Sequence, residues 1–207
     1  MRPKLFLVTD LSLADEEATC RALERVMSAV PPACVVIGLR DHAVPAARRV
    51  AFGHRLAERA HDRGARLVVH DRVDVARIVG ADGVHLAARS IDAVDARRLL
   101  GRPCLLSRSC HDERSLAAAE DEGLDFVTLS PLFASPGKGA PLGGPRFSSL
   151  RRVHPALHVV ALGGIDATNA AEAKHAGADG VAMIRGWLAT SDPGATARAA
   201  IAPFVEG

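Results

Sequence analysis

Short apolar runs rich in β-branched residues recur along the chain, and more polar stretches separate them. Most of the separating stretches are roughly 10–25 residues long and carry the periodicity of amphipathic helices. The apolar runs are residues 4–10, 34–40, 65–71, 82–87, 104–109, 125–130, 158–164 and 179–184. Strands that alternate with helices form parallel sheets joined by crossover helices. The pattern therefore predicts an α/β protein with eight parallel strands.

The eightfold repetition favours a closed barrel over an open sheet. The predicted strands are almost continuously apolar, as in parallel sheets covered on both faces. An open doubly wound sheet is the alternative, but its glycine fingerprint is missing after the first run, where Val8, Thr9 and Asp10 stand instead. We predict a single (βα)8 TIM barrel, whose active site lies at the C-terminal ends of the strands.

The composition is that of one domain with a substantial core. Of 207 residues, 48% are hydrophobic, and nothing indicates a second domain, so residues 1–207 are predicted to form one TIM-barrel domain. Lys and Arg number 26 against 24 acidic residues, without a run of five like charges. We expect no nucleic-acid or membrane partner, whereas a small anionic ligand fits this balance.

The cysteines and the first residues bear on the cellular compartment. The four cysteines form no CxxC pair, and a chain of this size does not need disulfides, so reduced thiols are expected. The apolar stretch 5–8 is far shorter than a signal-peptide core. No segment reaches the roughly 18 apolar residues that span a bilayer. These observations predict a cytoplasmic protein.

Glycines follow the seventh and eighth runs, where TIM barrels often bind phosphate. Gly163 and Gly164 end one run, and Gly186 lies just after the other. Backbone N–H groups in these loops can bind the anion, and glycine lets the backbone approach it closely. Alternatively, the glycines only allow tight turns.

A long Gly- and Pro-rich loop, residues 130–144, follows the sixth run and contains Lys138. Long loops in compact barrels are commonly functional, so we predict a flexible lid whose lysine closes on a phosphate or carboxylate. The alternative is a solvated loop with an incidental lysine.

Three further polar residues follow predicted strands. His111, after the fifth run, could move protons near neutral pH or could occupy a surface or helix-capping position. Asp71 could hold Mg²⁺, and Arg40 could bind a phosphate through two hydrogen bonds. Alternatively, Asp71 and Arg40 could pair with each other as a structural ion pair.

Taken together, these segments resemble the thiamin phosphate synthase / thiazole tautomerase (TenI-like) superfamily. The resemblance runs from Leu5 to about Leu188, and the order and spacing of its segments are more specific than any single motif. The segments are LFLVTD, VIGLRDH, HDRVDVARIVGADGVHL, SRSCHDERSL, DFVTLSPLFASPGKGAPLG, VVALGGIDATNA and AGADGVAMIRG. The resemblance implies a TIM barrel and an enzyme that binds a small phosphorylated thiazole.

In the synthase branch, the resemblance implies that a thiazole phosphate nitrogen attacks a pyrimidine methyl pyrophosphate and pyrophosphate leaves, with Mg²⁺ as cofactor. Asp71 then corresponds to a metal carboxylate, and Ser135 replaces a threonine that helps hold the thiazole. The glycine pattern and the resemblance together give the substrate- and phosphate-binding residues as Arg40, Ser109, Ser135, Lys138, Gly163, Gly164, Ile184, Arg185 and Gly186.

Several positions depart from the synthase pattern. His42 replaces a second cation of the pyrophosphate site, His70 replaces an asparagine, and Arg185 replaces a serine. Residues 87–90 lack the second metal carboxylate. Because a Mg²⁺–pyrophosphate site depends on matched charge, these changes weaken it, while the thiazole phosphate half is retained.

The tautomerase branch fits these departures better. It lacks those groups and uses a histidine in an Arg-Ser-x-His segment, which residues 108–111 supply. The resemblance then makes His111 catalytic in a proton shift that aromatises a carboxythiazole phosphate without a cofactor. We therefore expect a thiazole tautomerase. The alternatives are a Mg²⁺-dependent thiamin phosphate synthase and a non-catalytic ligand-binding regulator, and the oligomeric state stays open, a homo-oligomer included.

Overall fold

A computed structural model describes residues 2–41, 43–101 and 103–205. In this part of the chain eight parallel strands pair in sequence order, and β8 closes on β1. The strands are β1 Leu5–Val8, β2 Val35–Leu39, β3 Arg66–His70, β4 Gly83–Leu86, β5 Leu105–Cys110, β6 Phe126–Leu129, β7 Val159–Ala161 and β8 Gly180–Met183. The predicted TIM barrel is confirmed, and each strand lies within its predicted run except β5, which extends one residue beyond it to Cys110.

Helices follow the strands and cover the outside of the barrel. They are α1 Glu16–Ala29, α2 Ala46–Arg63, α3 Val73–Ile78, α4 Ala93–Leu100, α5 Glu113–Asp121, α6 Gly143–Val153, α7 Ala170–His175, α8 Arg185–Leu188 and α9 Pro193–Val205. Local signals set several ends: the Asp15 carboxylate caps α1, Asp112 and Ser115 form a capping box at α5, and Gly64 ends α2 in the left-handed region. None of the described helices is long and apolar enough to cross a membrane.

Successive strand residues point alternately into the barrel and toward the helices. The interior is filled by a separate apolar cluster drawn from the strands. Its buried members are Phe6, Val8, Val36, Val68, Leu105, Phe126, Val160 and Ala182. The apolar strand residues that point outward join the larger cluster beneath the helices. The interior is thus a packed core, and ligands can enter only at its ends.

The short helix α8 is fixed directly to the barrel. Trp187 is fully buried, and its indole Nε1–H donates to the Val8 carbonyl over 3.0 Å. A buried indole satisfied in this way holds the end of β8 against the end of β1. The rim residues after these two strands therefore have a defined position relative to each other. All four cysteines are free thiols, as predicted.

Candidate functional site

A cavity of about 300 Å³ opens at the C-terminal ends of the strands. It brings together eight of the predicted binding residues: Arg40, Ser135, Lys138, Gly163, Gly164, Ile184, Arg185 and Gly186. Asp10 and Ser130 also line it. Ser109 lies within β5, and Asp71 and His111 directly follow β3 and β5, but none of the three lines this cavity. Its wall combines glycine backbone with cationic side chains, which suits an anionic ligand.

The glycines after β7 allow two loops to touch. Gly164 has a φ of 65°, and a Cβ there would lie 2.5 Å from the Ala134 carbonyl oxygen. Gly163 has a φ of 101°, and a Cβ there would lie 2.7 Å from Pro131 Cα. The tight-turn role is therefore real, and it also brings the loop after β6 over the cavity. Their contact with phosphate stays a prediction.

Arg40 is held toward the cavity by an acidic neighbour. Its guanidinium donates to the Asp10 carboxylate at 2.6 Å. Burial alone would raise the pKa of Asp10, but hydrogen bonds from Ser12 and the charge of Arg40 lower it overall. The alternative that Arg40 pairs with Asp71 was wrong, because the Arg40 guanidinium pairs with Asp10 and the Asp71 carboxylate accepts from the Ala87 backbone N–H instead.

A buried carboxylate joins the loops after β1 and β2. Asp41 is 7% exposed and accepts hydrogen bonds from the Thr9 hydroxyl and the Leu11 backbone N–H. Thr9 also accepts from the Arg40 backbone N–H at 3.1 Å. This network sets the position of Arg40. It was not predicted from the sequence, although Thr9 directly follows the first strand. His42, the replaced cation position, lies outside the described residues.

Asp71 stands apart from the cavity on the loop after β3. It adopts a φ of 57°, which is uncommon for a residue other than glycine, and its Oδ1 accepts from the Ala87 backbone N–H at 2.7 Å. Residues 87–90 after β4 contribute no carboxylate, and no group of three or more His, Cys, Asp or Glu in the described ranges could hold a metal ion. Asp71 therefore offers a single carboxylate with one oxygen already engaged.

His111 is exposed and hydrogen-bonds beside the cavity. Its Nδ1 lies 2.8 Å from the Ser130 carbonyl oxygen, and Ser130 lines the cavity. A carbonyl oxygen only accepts, so Nδ1 carries the proton and Nε2 of the neutral ring carries the lone pair. The backbone N–H of His111 donates to Ser115 Oγ of the α5 capping box. The chemistry of a base is available, although the ring does not line the cavity.

The Arg-Ser-x-His segment divides between the two faces of β5. Arg108 points outward, where its guanidinium binds Glu122 at 2.9 Å and the carbonyl oxygens of Ala87 and Ile91. Ser109 points inward and lies 2.9 Å from His85 Nε2. Arg108 thus holds the loop after β4 in place and does not reach the cavity.

A family model described as thiamine monophosphate synthase matches residues 5–187. The chain belongs to this family. A putative thiamine-phosphate synthase of Geobacter sulfurreducens is 38% identical over 203 residues, covering 96% of this chain and 92% of that protein. A thiamine-phosphate synthase of a Roseiflexus species is 38% identical over 199 residues, covering 94% and 82%.

Solved structures of the family share the fold. A thiamine phosphate pyrophosphorylase from Pyrococcus furiosus superimposes with a TM-score of 0.86 at 24% identity, covering 99% of this chain and 96% of that one. At this identity the match bears on fold alone. The family resemblance is confirmed, and as a member of this family the chain is an enzyme of thiamin biosynthesis. The relatives carry the synthase name, which favours the synthase alternative over the tautomerase.

A larger groove of about 870 Å³ lies on the outside of the barrel, against α1 and α9. Arg21, Arg25, Arg63 and Arg198 line it together with Glu24 and Asp192. It is broad and contains no residue that follows a strand. Because TIM-barrel chemistry occurs at the C-terminal rim, the smaller cavity is the candidate active site.

Inside the barrel, the His85 side chain of β4 is neutral. Burial lowers the pKa of its imidazole to about 3, and the nearby charge of Asp71 opposes this shift only in part. Both ring nitrogens have partners: Nδ1 lies 2.8 Å from Ser107 Oγ, and Nε2 lies next to Ser109 Oγ. The sequence reasoning missed His85, although its period-2 position in β4 directs it into the barrel.

His85 should destabilise the protein on acidification. The unfolded histidine titrates near pH 6.5 and the folded one near 3, so between these values only the unfolded state binds the proton. The contribution of neutral His85 to the unfolding free energy is fully present above about pH 6.5, and it is lost as the pH falls toward 3. Between pH 7 and 5 this residue should cost about 2 kcal/mol of unfolding free energy. Urea unfolding at pH 7 and pH 5 should show that His85→Gln loses about 2 kcal/mol less unfolding free energy than wild type over this interval. Equal losses in the two proteins would contradict the low pKa of His85.

Proposed function

We propose that this protein is a thiamin phosphate synthase, which joins a hydroxymethylpyrimidine pyrophosphate to thiazole phosphate and releases pyrophosphate. The observation that carries the proposal is the convergence of Arg40, Lys138 and Arg185 on one glycine-walled cavity. Three cations exceed what a single phosphate requires, and they suit a reaction between two phosphorylated substrates. The names of relatives 33–40% identical to this chain support the same conclusion.

The thiazole phosphate is proposed to bind at the ends of β7 and β8. There the backbone of Gly164 and Gly186 lines the cavity. The first N–H groups of a helix have no partner within it, so the start of α8 presents donors beside these glycines. Ser135 and Lys138 lie on the loop after β6, and they would contact the ligand from the opposite wall.

The pyrophosphate is proposed to bind between Arg40 and the ends of β3 and β5. The fork of Arg40 can donate two parallel hydrogen bonds to phosphate oxygens, and Ser109 adds a hydroxyl. The donor set fits Mg²⁺ when pyrophosphate is present, because Mg²⁺ is commonly held by one or two carboxylates together with phosphate oxygens and water. The second oxygen of Asp71 would be the protein ligand. The ion would supply positive charge beside the leaving pyrophosphate.

The reaction exchanges one bond for another. The thiazole nitrogen lone pair forms a C–N bond with the pyrimidine methylene carbon, and the C–O bond to pyrophosphate breaks, its electron pair leaving with the pyrophosphate. Arg40, already positioned by Asp10, stabilises the negative charge that develops on the leaving oxygen. Binding at the glycine wall would fix the distance between the nitrogen and the carbon.

A thiazole tautomerase is the second candidate. Two observations favour it. Asp71 follows β3, but residues 87–90 after β4 supply no second carboxylate for a metal ion. His111 Nδ1 faces a carbonyl oxygen, so its Nε2 is the ring nitrogen that can accept a proton. A proton shift on a carboxythiazole phosphate needs a base and a phosphate site but no metal. The same cavity would hold that substrate.

Incubation with both synthase substrates and Mg²⁺ tests the proposal. Formation of thiamin phosphate and pyrophosphate in equal amounts is the expected result. Conversion of the carboxythiazole phosphate tautomer, without thiamin phosphate, would reject the synthase in favour of the tautomerase. Binding of thiazole phosphate with neither product would contradict both activities and indicate the regulator.

His111→Asn distinguishes a positioning histidine from a catalytic base. The asparagine amide can still donate to the Ser130 carbonyl, but it has no basic nitrogen. In the synthase we expect turnover to stay within about tenfold of wild type, because no proton transfer is required of this residue. A tautomerase would instead lose about 10²–10⁴-fold in turnover. Both assays, with a melting curve on the same preparation, separate loss of chemistry from loss of folded protein.

A further inference from the structure

A buried histidine connects two serines on one strand. His85 of β4 pairs in register with Ser107 of β5, and its ring lies between the inward-facing hydroxyls of Ser107 and Ser109. Ser107 is fully buried, whereas Ser109 is half-buried near the C-terminal end of β5. The three side chains form a continuous chain of hydrogen bonds from the barrel interior to the rim.

The surroundings fix the His85 ring. The Phe6 and Phe126 rings lie with centroids 5.1 and 6.2 Å away, and the His70 ring lies at 4.6 Å. The charged groups that act on it are Asp71 and Arg108. At 2% exposure the ring stays neutral at working pH, so one ring nitrogen carries a proton and the other accepts one.

The chain can therefore run in either of two directions. In one, Nδ1–H donates to Ser107, and the Ser109 hydroxyl donates its only proton to Nε2. In the other, Ser107 donates to Nδ1, Nε2–H donates to Ser109, and the Ser109 hydroxyl keeps its proton for an outside acceptor. A phosphate oxygen only accepts hydrogen bonds, so it can bind Ser109 as a donor only in the second direction.

We infer that His85 is a positioning residue that makes Ser109 a hydrogen-bond donor to a pyrophosphate oxygen. The inference rests on the proposed function, because it assigns Ser109 to the pyrophosphate. Binding of the anion selects the chain Ser107 to His85 to Ser109, and each bond polarises the next. His85 thus acts on affinity for the anion without touching it.

Calorimetric titration with inorganic pyrophosphate and Mg²⁺ tests the inference on six full-length proteins. These are wild type, His85→Leu and His85→Gln, each with Ser109 and with Ser109→Ala. We expect His85→Leu and Ser109→Ala each to weaken binding by about tenfold, the lower range for a hydrogen bond to a charged group. His85→Gln, whose amide N–H can donate to Ser109, should bind within about threefold of wild type. In the Ser109→Ala background, His85→Leu should have no further effect.

A second measurement uses the unaltered sequence and does not depend on how the variants fold. In protein with ¹⁵N-labelled histidine, the ring signals of His85, assigned by comparison with His85→Gln, report which nitrogen carries the proton. The inference expects Nε2–H in the complex with Mg²⁺ and pyrophosphate. Nδ1–H there would overturn it.

The outcomes separate this inference from the proposed function. Wild type that does not bind pyrophosphate contradicts both. Wild type that binds, with His85→Leu unchanged or equally weakened in the Ser109→Ala background, overturns only the role of His85. Coupling between the two positions, with rescue by glutamine, supports the inference, since a purely structural histidine would affect both backgrounds alike.

Discussion

Arg40→Ala is expected to lower the turnover of thiamin phosphate formation by about 10²–10³-fold, the usual effect of removing one preorganised group that stabilises developing charge. Arg40 lines the cavity and is already oriented by Asp10. Arg40→Lys should recover part of the rate, because it keeps the charge but loses the two-pronged hydrogen bonding. Steady-state kinetics with saturating substrates measures the change in kcat.

Arg66→Ala is the matched control. Arg66 also forms an ion pair, with Asp82 at 2.7 Å, but it begins β3 at the opposite end of the barrel. Its loss should leave kcat within about twofold, because Arg66 does not line the cavity. A rate for Arg40→Ala equal to that of Arg66→Ala would remove Arg40 from the active site.

Gly164→Ala is expected to damage both stability and ligand binding. The left-handed backbone conformation alone costs about 1–2 kcal/mol for alanine, and the methyl group would meet the Ala134 carbonyl at 2.5 Å and Phe133 Cβ at 2.9 Å. Either the loop after β6 moves away or the turn after β7 changes shape. Thiazole phosphate affinity should then fall by at least about tenfold.

Gly144→Ala controls for the added methyl group. Gly144 lies in the first turn of α6, has an ordinary φ, and a Cβ there would meet no atom within 4 Å. This variant should bind thiazole phosphate like wild type and be at least as stable, because alanine favours the helix. Unfolding curves and calorimetry on both variants give the comparison. Equal affinity in the two would mean that the turn at Gly164 does not shape the site.

The fold could be predicted almost completely because its information is local. Each strand is a short apolar run, and the stretch between two runs has the length of a single crossover helix with its loops. Parallel strands place all their C-terminal ends on one side, so the order of the runs also located the rim. The family match confirmed the resemblance carried by the same segments.

The pairing of rim side chains could not be predicted in the same way. Arg40 and Asp71 both follow strands, but the spacing gives no distance between loops, and Asp10 proved to be the partner of Arg40. Alternation along β5 did contain the information that Arg108 and Ser109 face opposite sides. Treating them as one motif gave Arg108 and His111 more weight toward the tautomerase than their contacts support.

A crystal structure with thiazole phosphate, Mg²⁺ and pyrophosphate tests the central claim most directly, namely that the C-terminal rim holds both phosphorylated groups, thiazole phosphate in the glycine-walled cavity and pyrophosphate beside it. The thiazole phosphate should lie within hydrogen-bond distance of the Gly164 and Gly186 backbone N–H groups, with pyrophosphate on Arg40 and Ser109. Thiazole phosphate bound in the groove against α1 and α9, or pyrophosphate bound at the glycine wall without contact to Arg40 or Ser109, would contradict the account.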